Sequence, residues 1–372
     1  MRIAIIAESF LPQVNGVSNT VRHVVDGLTA AGHEVLVVAP GPGEPSYHGV
    51  RVVRLRSVPL PRYSGFPVGL PHRRAVADAI SAFAPDVVHL ASPAVLGAAG
   101  ISAARRMGIP TVAVFQTDLV GFARQYRLRA DAAMWAWIRL IHSRVDRTLA
   151  PSTFTALQLR AAGVPRVALW GRGVNLDLFG PDRRDEGLRR RLAPEGELVV
   201  GYVGRLAVEK RVRRLAELAG IPGVRLVVVG DGPERESLRR ALPNAAFLGL
   251  LRGEELATAF ASLDVFVHTG EHETFCQTVQ EAQASGVATV APAAGGPMDL
   301  VDDGATGLLY DPADRHGLRH AVRSLAHDTE LRERLAAGGA ARVAGRTWGQ
   351  VVDDLVTQHY AAVLPQWLGR AA

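Results

Sequence analysis

The sequence contains a single cysteine among its 372 residues. One thiol excludes a disulfide framework and a zinc site built from cysteines, and it is typical of a reducing compartment. No apolar run reaches the roughly 18 residues that a membrane span requires, and the opening MRIAIIAESF has no signal-peptide pattern. These absences predict a cytoplasmic protein without a membrane-spanning segment.

Several cofactor and nucleophile motifs are also missing. The first strand pattern is followed by AESFLPQVNGVSN rather than G-x-G-x-x-G, and VVVGDGPER has Arg235 at the position of the third glycine. Nicotinamide or flavin binding is therefore not expected. The chain has no G-x-x-x-x-G-K-[ST], no G-x-S-x-G, no H-E-x-x-H and no D-x-D at a strand end. Neither P-loop kinase chemistry nor metal-dependent catalysis is expected from such a sequence, so no metal or cofactor is predicted.

The proportions of residue types are those of a globular α/β protein. Aromatic residues make up 6%, charged residues 21% and hydrophobic residues 48% of the chain, which excludes a disordered acidic chain and a coiled coil. At roughly 150 residues per domain, the length predicts two domains. Strand patterns alternate with helical periodicity, at 2–9, 33–40, 85–92, 111–118 and 147–152, and again at 197–205, 224–232, 245–251, 263–270 and 288–295.

This alternation predicts parallel sheets joined by right-handed helical crossovers. The charged stretch 181–197 interrupts it and is interpreted as a linker, which gives domains at 1–180 and 181–349. The expected fold class is α/β, with two Rossmann-like domains that face each other across a cleft and bind ligands beyond the carboxyl ends of their strands. The pattern of the last helix, from about Trp348, leaves open which domain it packs on.

Basic residues are unevenly distributed along the chain. Residues 1–180 carry 19 arginines against 10 acidic residues, whereas the whole chain has a formal net charge of +6. This asymmetry favours an anionic partner for the first half, although an arginine-rich surface explains it equally well. Lys210, the only lysine, lies with Arg205 in VGRLAVEKR after a predicted strand. Two cations there can neutralise a diphosphate leaving group, or they can simply be solvated.

A polar segment that follows the predicted strand LDVFVHTG carries two glutamates. Glu273 comes just before a helix that is expected to begin near Phe275, and Glu281 lies on its second turn. A helix rise of roughly 1.5 Å per residue places the carboxylates on the order of 10 Å apart, which suits two hydroxyl-bearing groups of one extended ligand. The amides of Phe275, Cys276 and Gln277 lie between them and could bind a phosphate. The spacing alone favours a simpler interpretation, two solvated glutamates on an ordinary helix.

The first domain offers two further candidates. Asn15 and Gly16 lie at the entry of a helix, where Gly16 would let a phosphate or sugar approach the backbone, or would simply form a helix-entry turn. Asp118 ends a predicted strand, where its carboxylate would point into the cleft or cap the next helix.

Together these segments resemble retaining glycosyltransferases of family 4, which have the GT-B fold, and among them the GDP-mannose-dependent α-mannosyltransferases of actinobacteria. The resemblance covers nearly the whole chain. It rests on the strings FLPQVNGVSNTV, FQTDLVGFARQY, LAPS, WGRGVNLDLF, YVGRLAVEKR, VVVGDGPER, DVFVHTGEHETFCQTVQEAQASG, APAAGGPMDLV and GLLYDP.

The resemblance implies a set of site residues. Glu273 would hold the donor hexose, Glu281 the ribose, and Arg205 with Lys210 the diphosphate. Gly16 would approach the donor from the first domain, and the final helix, 350–372, would pack back on that domain. The residues expected to contact the donor are Gly16, Arg205, Lys210, Gly230, Leu248, Glu273, Phe275, Cys276, Gln277 and Glu281. Those expected to act in catalysis are Glu273, Asp118, Arg205 and Lys210.

The resemblance also implies a mechanism that needs neither a protein base nor a metal. In front-face attack the leaving phosphate itself takes the proton of the acceptor, and the anomeric configuration is retained. Two positions depart from the pattern of the family: Asp118 stands where many relatives have His, and Asn175 stands where Asp is usual.

The first domain is expected to carry a patch that contacts a membrane surface. The patch combines arginines with aromatic residues, namely Arg51, Arg54, Arg56, Arg62, Arg73, Arg74, Phe66, Trp135 and Trp137. It would bind an anionic lipid or glycolipid acceptor and make the enzyme peripheral on the inner face of the cell membrane. Burial of both tryptophans in the core is the simpler expectation.

Three other functions compete with this interpretation. Base contacts from the backbone leave little trace in a sequence, so a UDP-sugar-dependent glucosyl- or N-acetylglucosaminyltransferase with a soluble acceptor is the alternative. A sugar-nucleotide epimerase would form its product without any acceptor. The sequence pI of about 10.0 suggests a nucleic-acid-binding protein, but no nucleic-acid motif or aromatic stacking surface accompanies the basic residues. The expected partners are a sugar nucleotide and an acceptor, and no nucleic acid.

Overall fold

The structure, a computed structural model, describes residues 1–13, 15–60, 63–69, 73–117 and 131–364. Arg62 and Asp118 lie outside the described residues, as does the side chain of Phe66. The expected role of Asp118 therefore stays a prediction.

An eight-stranded sheet forms the centre of the first half of the chain. Its strands are β1 (Arg2–Ala7), β2 (Glu34–Pro40), β3 (Ser46–Tyr47), β4 (Val50–Leu55), β7 (Val87–Ala91), β8 (Thr111–Val114), β9 (Arg147–Ala150) and β10 (Val167–Leu169). A separate antiparallel hairpin consists of β5 (Ser57–Leu60) and β6 (Tyr63–Gly69). The strand order is β10-β9-β8-β7-β1-β2-β4-β3, and every neighbouring pair is parallel except β3 with β4.

Helices cover both faces of this sheet, which explains the continuous apolar runs of its strands. The helices are α1 (Gly16–Ala30), α2 (Arg73–Phe83), α3 (Val95–Arg106), α4 (Asp131–His142) and α5 (Thr153–Ala161). Ile3 and Ile5 of β1 are buried in the same cluster as the apolar residues of α1, whereas Ala4 and Ile6 join the cluster of α2 and α3. Strands of a parallel sheet are buried on both faces in this way.

A six-stranded, all-parallel sheet forms the centre of the second half. Its strands are β11 (Leu198–Val203), β12 (Val224–Val229), β13 (Ala246–Gly249), β14 (Val265–Val267), β15 (Ala288–Pro292) and β16 (Leu308–Tyr310), in the order β13-β12-β11-β14-β15-β16. The helices are α6 (Glu186–Leu192), α7 (Arg235–Ala241), α8 (Gly253–Ala261), α9 (Gln277–Ala284), α10 (Pro297–Leu300), α11 (Gly317–His327) and α12 (Thr329–Val343). Short 3-10 turns cover Pro181–Arg183, Val208–Lys210 and Val212–Leu218.

The described residues cluster into two units. The first runs from Met1 to Arg172 and resumes at Trp348, and the second runs from Gly173 to Thr347. The second unit thus begins before the boundary expected at residue 180. Its first residues already bond within that unit, since the amide of Val174 donates to the carbonyl of Arg346.

The charged stretch 181–197 is not a linker, contrary to the expectation from its composition. It contains α6, whose N-cap Asp185 accepts a hydrogen bond from the amide of Leu188. Arg184 and Arg189 both form ion pairs with Asp264, at 3.3 and 2.9 Å. The charges that resemble a solvated linker in the sequence therefore attach α6 to the second unit.

The last helical segment packs on the first unit. It consists of α13 (Trp348–Asp354), a π-helical turn (Leu355–Tyr360) and a 3-10 turn (Ala361–Val363). Trp170 Nε1 donates to the carbonyl of Val351 over 2.9 Å, and the Tyr360 hydroxyl lies 2.8 Å from His89 Nδ1. A Cβ at Gly27 of α1 would lie 2.9 Å from the Val352 side chain, so this glycine lets α13 approach closely.

Two local features differ from the sequence interpretation. The Pro- and Gly-rich stretch LPRYSGFPVGLP has the composition of a loop, but its residues Leu60 and Tyr63–Gly69 belong to the hairpin of β5 and β6. The short strands β3, β10 and β16 were not among the strands expected from the sequence. Among the helices of the described ranges, none is long and apolar enough to cross a membrane.

Candidate active site

The second sheet has its topological switch point between β11 and β14. Strand β11 pairs with β12 on one side and with β14 on the other, so the chain leaves β11 and β14 in opposite directions. Ligands of parallel α/β sheets bind at such points, beyond the carboxyl ends of the strands. The loop after β11 carries Arg205 and Lys210, and the loop after β14 carries Glu273. The fold therefore brings together the two segments that the sequence singled out.

Lys210 and Glu273 form an ion pair between these two loops. Lys210 Nζ lies 2.6 Å from Glu273 Oε1, and the side chains are only 29% and 15% exposed. The Thr269 hydroxyl donates to the carbonyl of Lys210 over 2.7 Å, which attaches the loops a second time. Burial alone would raise the pKa of Glu273, but Lys210 and His268 hold it well below its ordinary value. Glu273 is therefore an ionised carboxylate, a strong hydrogen-bond acceptor for hydroxyl groups.

His268 is a buried neighbour of Glu273 that the sequence interpretation missed. It is 3% exposed, it stacks on Tyr202, and its Nε2 lies 3.2 Å from Glu273 Oε1. Burial by itself would lower the pKa of His268, but the adjacent Cys276 and Glu273 raise it to about 9. At neutral pH Glu273 thus has two cationic neighbours. The only signal in the sequence was a histidine at the end of an apolar strand, which is more often a core residue.

Two glycines hold the backbone of the Glu273 loop. The amide of Gly296 donates to the carbonyl of Glu273 over 2.8 Å. A Cβ at Gly296 would lie 2.2 Å from the carbonyl oxygen of Phe275, and one at Gly295 would lie 2.8 Å from that of Glu271. The string APAAGGPMDLV therefore has a structural role, since its two glycines pack against the backbone of the Glu273 loop.

Arg205 and Gly230 lie at the ends of neighbouring strands. Arg205 is exposed, its Nη1 is 3.5 Å from Glu209 Oε1, and its carbonyl accepts from the Tyr202 hydroxyl. Gly230 has a φ of +134°, and a Cβ there would lie 1.9 Å from the carbonyl oxygen of Gly204. Packing alone therefore requires this glycine, whether or not its backbone contacts a ligand. Leu248, another residue expected to contact the donor, is half-buried on β13.

Helix α9 begins at Gln277, whereas it was expected from the sequence to begin near Phe275. Cys276 is its N-cap and has a left-handed backbone with a φ of +86°, so the residues before it cannot be helical. The side chain of Gln277 makes a hydrogen bond, in which Nε2 donates to the carbonyl of Gly173 over 2.9 Å. The roles expected for the amides of Phe275, Cys276 and Gln277 toward a donor stay predictions.

Glu281 lies on the second turn of α9, where burial alone raises its pKa from 4.5 to about 7. Such a carboxyl group keeps a proton in the folded protein at pH values where the unfolded chain has released it. The contribution of this proton to the free energy of unfolding is therefore complete at low pH and is lost as the pH rises through about 7. We expect Glu281→Gln to be more stable than the parent chain by about 2 kcal/mol at pH 8 and by little at pH 5. Urea denaturation at the two pH values measures this, with the exposed Glu254→Gln as the control. Equal differences at both pH values would contradict it.

Asn15 and Gly16, two candidate residues of the first unit, form the start of α1. Asn15 caps α1 by accepting from the amides of Val17 and Ser18. A Cβ at Gly16 would meet Arg172 Nη1 at 3.6 Å, an ordinary contact, and the buried Arg172 donates to Gln116 Oε1 over 3.2 Å. Arg172 was not among the candidates, because a buried arginine cannot be recognised from its neighbours in the sequence.

The expected patch of arginines and aromatic residues is only partly on the surface. Trp137 is 40% exposed and Leu140 of the same helix is exposed, whereas Trp135 packs against the core. Arg54 is half-buried and donates to the backbone carbonyls of Glu44 and Pro40. The exposed arginines of the expected patch, among the described residues, are Arg51, Arg56, Arg73 and Arg74.

Asn175 has a local structural role. Its side-chain oxygen accepts from the amides of Asp177 and Leu178, which forms a turn of the kind that Asn and Asp both favour. The Asp that the resemblance implies at this position would form the same turn, so Asn175 is compatible with it.

The chain is similar to known glycosyltransferases over its whole length. Residues 14–178 match the model of Glycosyltransferase Family 4, and residues 184–342 match that of Glycosyl transferases group 1. The protein named GDP-mannose-dependent alpha-mannosyltransferase in Mycolicibacterium smegmatis is 52% identical over 100% of both chains. The protein of the same name in Mycobacterium tuberculosis is 53% identical over 98% of this chain and 97% of its own.

Solved structures show the same fold at lower identity. HepE of Anabaena, in complex with UDP, is 20% identical with a TM-score of 0.79, and the match covers 96% of this chain and 98% of that one. Sucrose-phosphate synthase from Thermosynechococcus elongatus is 22% identical with a TM-score of 0.81, and the match covers 100% of both chains. The two-unit α/β architecture with parallel sheets is thus the GT-B fold expected from the sequence.

Proposed function

The chain belongs to glycosyltransferase family 4, and on that premise we propose that it is a retaining, GDP-mannose-dependent α-mannosyltransferase. The observation that carries the proposal is the full-length identity of 52–53% to two proteins with that name. A third such protein, from Corynebacterium glutamicum, is 45% identical over 98% of this chain. The ionised Glu273 at the switch point of the second sheet supports it with the chemistry that a hexose donor requires.

The donor is proposed to bind to the second unit along the two loops that Lys210 and Glu273 join. Glu273 accepts hydrogen bonds from the hexose hydroxyls. The Lys210 ammonium has three N–H donors, so it can hold Glu273 and a phosphate oxygen together, and Arg205 supplies a second cation for the diphosphate. Glu281 accepts from the ribose.

Catalysis is proposed to need no metal. The bond from the anomeric carbon to the diphosphate oxygen breaks, and the acceptor oxygen bonds to the same face of that carbon. The acceptor proton goes to the departing phosphate oxygen, and the positive charges of Lys210 and Arg205 stabilise the diphosphate as its charge develops. Glu273 has two cationic neighbours and a lowered pKa, which suits it to orient the hexose rather than to carry a proton.

The activity itself is tested with GDP-mannose and a lipid extract, in the presence of excess EDTA. We expect a mannosylated lipid, and we expect EDTA to leave the rate unchanged. The one-bond carbon–proton coupling in the NMR spectrum of the product is expected to show that the new linkage is α. A β linkage would contradict retention, a loss of rate with EDTA would contradict metal independence, and transfer from UDP-glucose alone would contradict the donor.

The acceptor is proposed to be an anionic lipid or glycolipid, reached by a patch that contains Trp137, Leu140 and the exposed arginines Arg51, Arg56, Arg73 and Arg74. Exposed apolar side chains and exposed arginines are the residue types that bind an anionic membrane surface. We expect the protein to float with vesicles that contain anionic phospholipid, and Trp137→Ala to float less. Recovery of all the protein at the bottom of the gradient would count against a membrane role, and the acceptor would then be soluble.

Gly16 gives a test of a donor contact that does not disturb the fold. Among the described residues outside its own helix turn, a Cβ at this position comes closest to Arg172 Nη1, at 3.6 Å, and Ala is favourable in a helix. We therefore expect Gly16→Ala to unfold at the same urea concentration as the parent chain but to lose at least about tenfold in donor affinity, which corresponds to about 1.4 kcal/mol. Calorimetric titration with GDP-mannose measures the affinity. Unchanged affinity would remove Gly16 from the donor site.

A further inference from the structure

Three side chains that can bind a metal converge beside the Lys210–Glu273 ion pair. A ring nitrogen of His268, a carboxylate oxygen of Glu273 and the sulfur of Cys276 all lie within 4.8 Å of one another. In a tetrahedral zinc site with bonds of 2.0–2.3 Å the ligand atoms are about 3.5 Å apart, so a movement of about 1 Å would complete the set. The single cysteine excluded a site built from several cysteines, but it does not exclude a mixed site.

His268 has the polar atoms that such a site needs. The side chain is 3% exposed, and within the described part of the chain neither ring nitrogen has an aligned hydrogen-bond partner, although Nε2 is 3.2 Å from Glu273 Oε1. The imidazole therefore contacts Glu273 without a well-aligned hydrogen bond, and it releases its proton when a cation binds. A cation between His268, Glu273 and Cys276 would satisfy the imidazole.

The backbone of Cys276 provides independent evidence that its side chain matters. With a φ of +86°, the residue adopts a conformation in which glycine is favoured and other residues are strained. A glycine would begin α9 more easily, but the sequence places its only thiol there, against His268 and Glu273.

We propose that His268, Glu273 and Cys276 form an inhibitory site for a thiophilic divalent cation such as Zn²⁺. Imidazole, carboxylate and thiolate are the ligands that Zn²⁺ takes, and a water molecule would be the fourth. The cation replaces the Lys210 ammonium as the partner of Glu273. Because the proposed function assigns Glu273 to the hexose and Lys210 to the diphosphate, the cation and the sugar nucleotide compete for the same two residues; this inference rests on that function.

Metal binding is measured with Co²⁺ as the probe, without any need for activity. Since the chain has one thiol, a near-ultraviolet thiolate-to-cobalt charge-transfer band reports on Cys276 alone. We expect the band to saturate at one cobalt per chain, and His268→Gln to weaken cobalt affinity at least about tenfold. His272→Gln, an exposed histidine of the same loop, is the matched control and keeps the band. Absence of the band in the parent chain would overturn the proposal.

Inhibition is measured with Zn²⁺ on mannose transfer from GDP-mannose. We expect zinc to raise the apparent KM for the donor without lowering the maximal rate, and Cys276→Gly, which relieves the backbone strain, to be at least about tenfold less sensitive to zinc. Equal sensitivity of Cys276→Gly and the parent chain would overturn the site. A cobalt band in a protein that does not turn over GDP-mannose would support the metal site and contradict the proposed function, so the two failures are distinguishable.

Discussion

Glu273→Gln is expected to lower kcat/KM for GDP-mannose by about a thousandfold while the affinity for GDP changes little. The amide has nearly the shape of the carboxylate but lacks its charge, so it neither pairs with the Lys210 ammonium nor accepts as strongly from a hexose hydroxyl. Removal of one hydrogen-bonding group that stabilises a transition state costs about 10²–10³ in rate, and we expect a loss at the upper end because this group is charged. Steady-state kinetics and calorimetric titration with GDP separate the two effects, because GDP has no hexose.

Glu271→Gln is the matched control for this variant. Glu271 lies in the same loop, is at least as buried as Glu273, and pairs with Arg211 at 3.2 Å. It has no expected contact with the donor, so its loss is expected to cost less than about tenfold in kcat/KM. If Glu271→Gln lost as much activity as Glu273→Gln, the shape of the loop would explain the result, and the assignment of Glu273 to the hexose would fail.

Gly230→Ala is expected to lower the free energy of unfolding by at least about 4 kcal/mol, the largest effect on stability expected for a single methyl group here. The new Cβ would lie 1.9 Å from the carbonyl oxygen of Gly204, and a φ of +134° is unfavourable for any residue but glycine. The carboxyl ends of β11 and β12 would have to move apart, and the loop that carries Arg205 would move with them. Urea denaturation measures the loss, and donor binding is expected to disappear with it.

Gly220→Ala separates the clash from the backbone preference. Gly220 also has a positive φ, +68°, but apart from its chain neighbours a Cβ there meets no atom of the described residues within 4 Å. Its substitution is expected to cost about 1 kcal/mol, the ordinary penalty of a left-handed backbone. Should Gly230→Ala cost no more than Gly220→Ala, the close approach of the two strand ends would not exist in solution.

Much of this fold could be predicted because its strands are buried on both faces. Continuous apolar runs such as RIAIIA and LVVGYV predict parallel strands without any tertiary information. The same rule places Lys210 and Glu273 at the carboxyl ends of strands. Lys210 and Glu273 are 63 positions apart in the sequence, and they make contact because β11 lies next to β14 in the sheet. The hydrophobic pattern predicts the strands but not their order in the sheet.

The features that the sequence did not predict depend on tertiary packing. His268 and Cys276 acquire their significance only from each other and from Glu273, and Cys276 begins α9 with a backbone conformation that the residue itself disfavours. The stretch 181–197 has the composition of a linker, but Asp264 pairs with two of its arginines. Gly16 and Gly230 resemble each other in the sequence, and only the atoms around them distinguish a glycine that packing requires from one that it does not.

The most direct test of the central claim is calorimetric titration of the protein with GDP and with UDP, repeated for Lys210→Ala. We expect GDP to bind to one site per chain and UDP to bind at least about tenfold more weakly. Lys210→Ala is expected to weaken GDP binding at least about tenfold, or about 1.4 kcal/mol. Tighter binding of UDP would keep the fold and the site but contradict the mannose donor. Binding of neither nucleotide would contradict the assignment of a sugar-nucleotide site to the loops that Lys210 and Glu273 join.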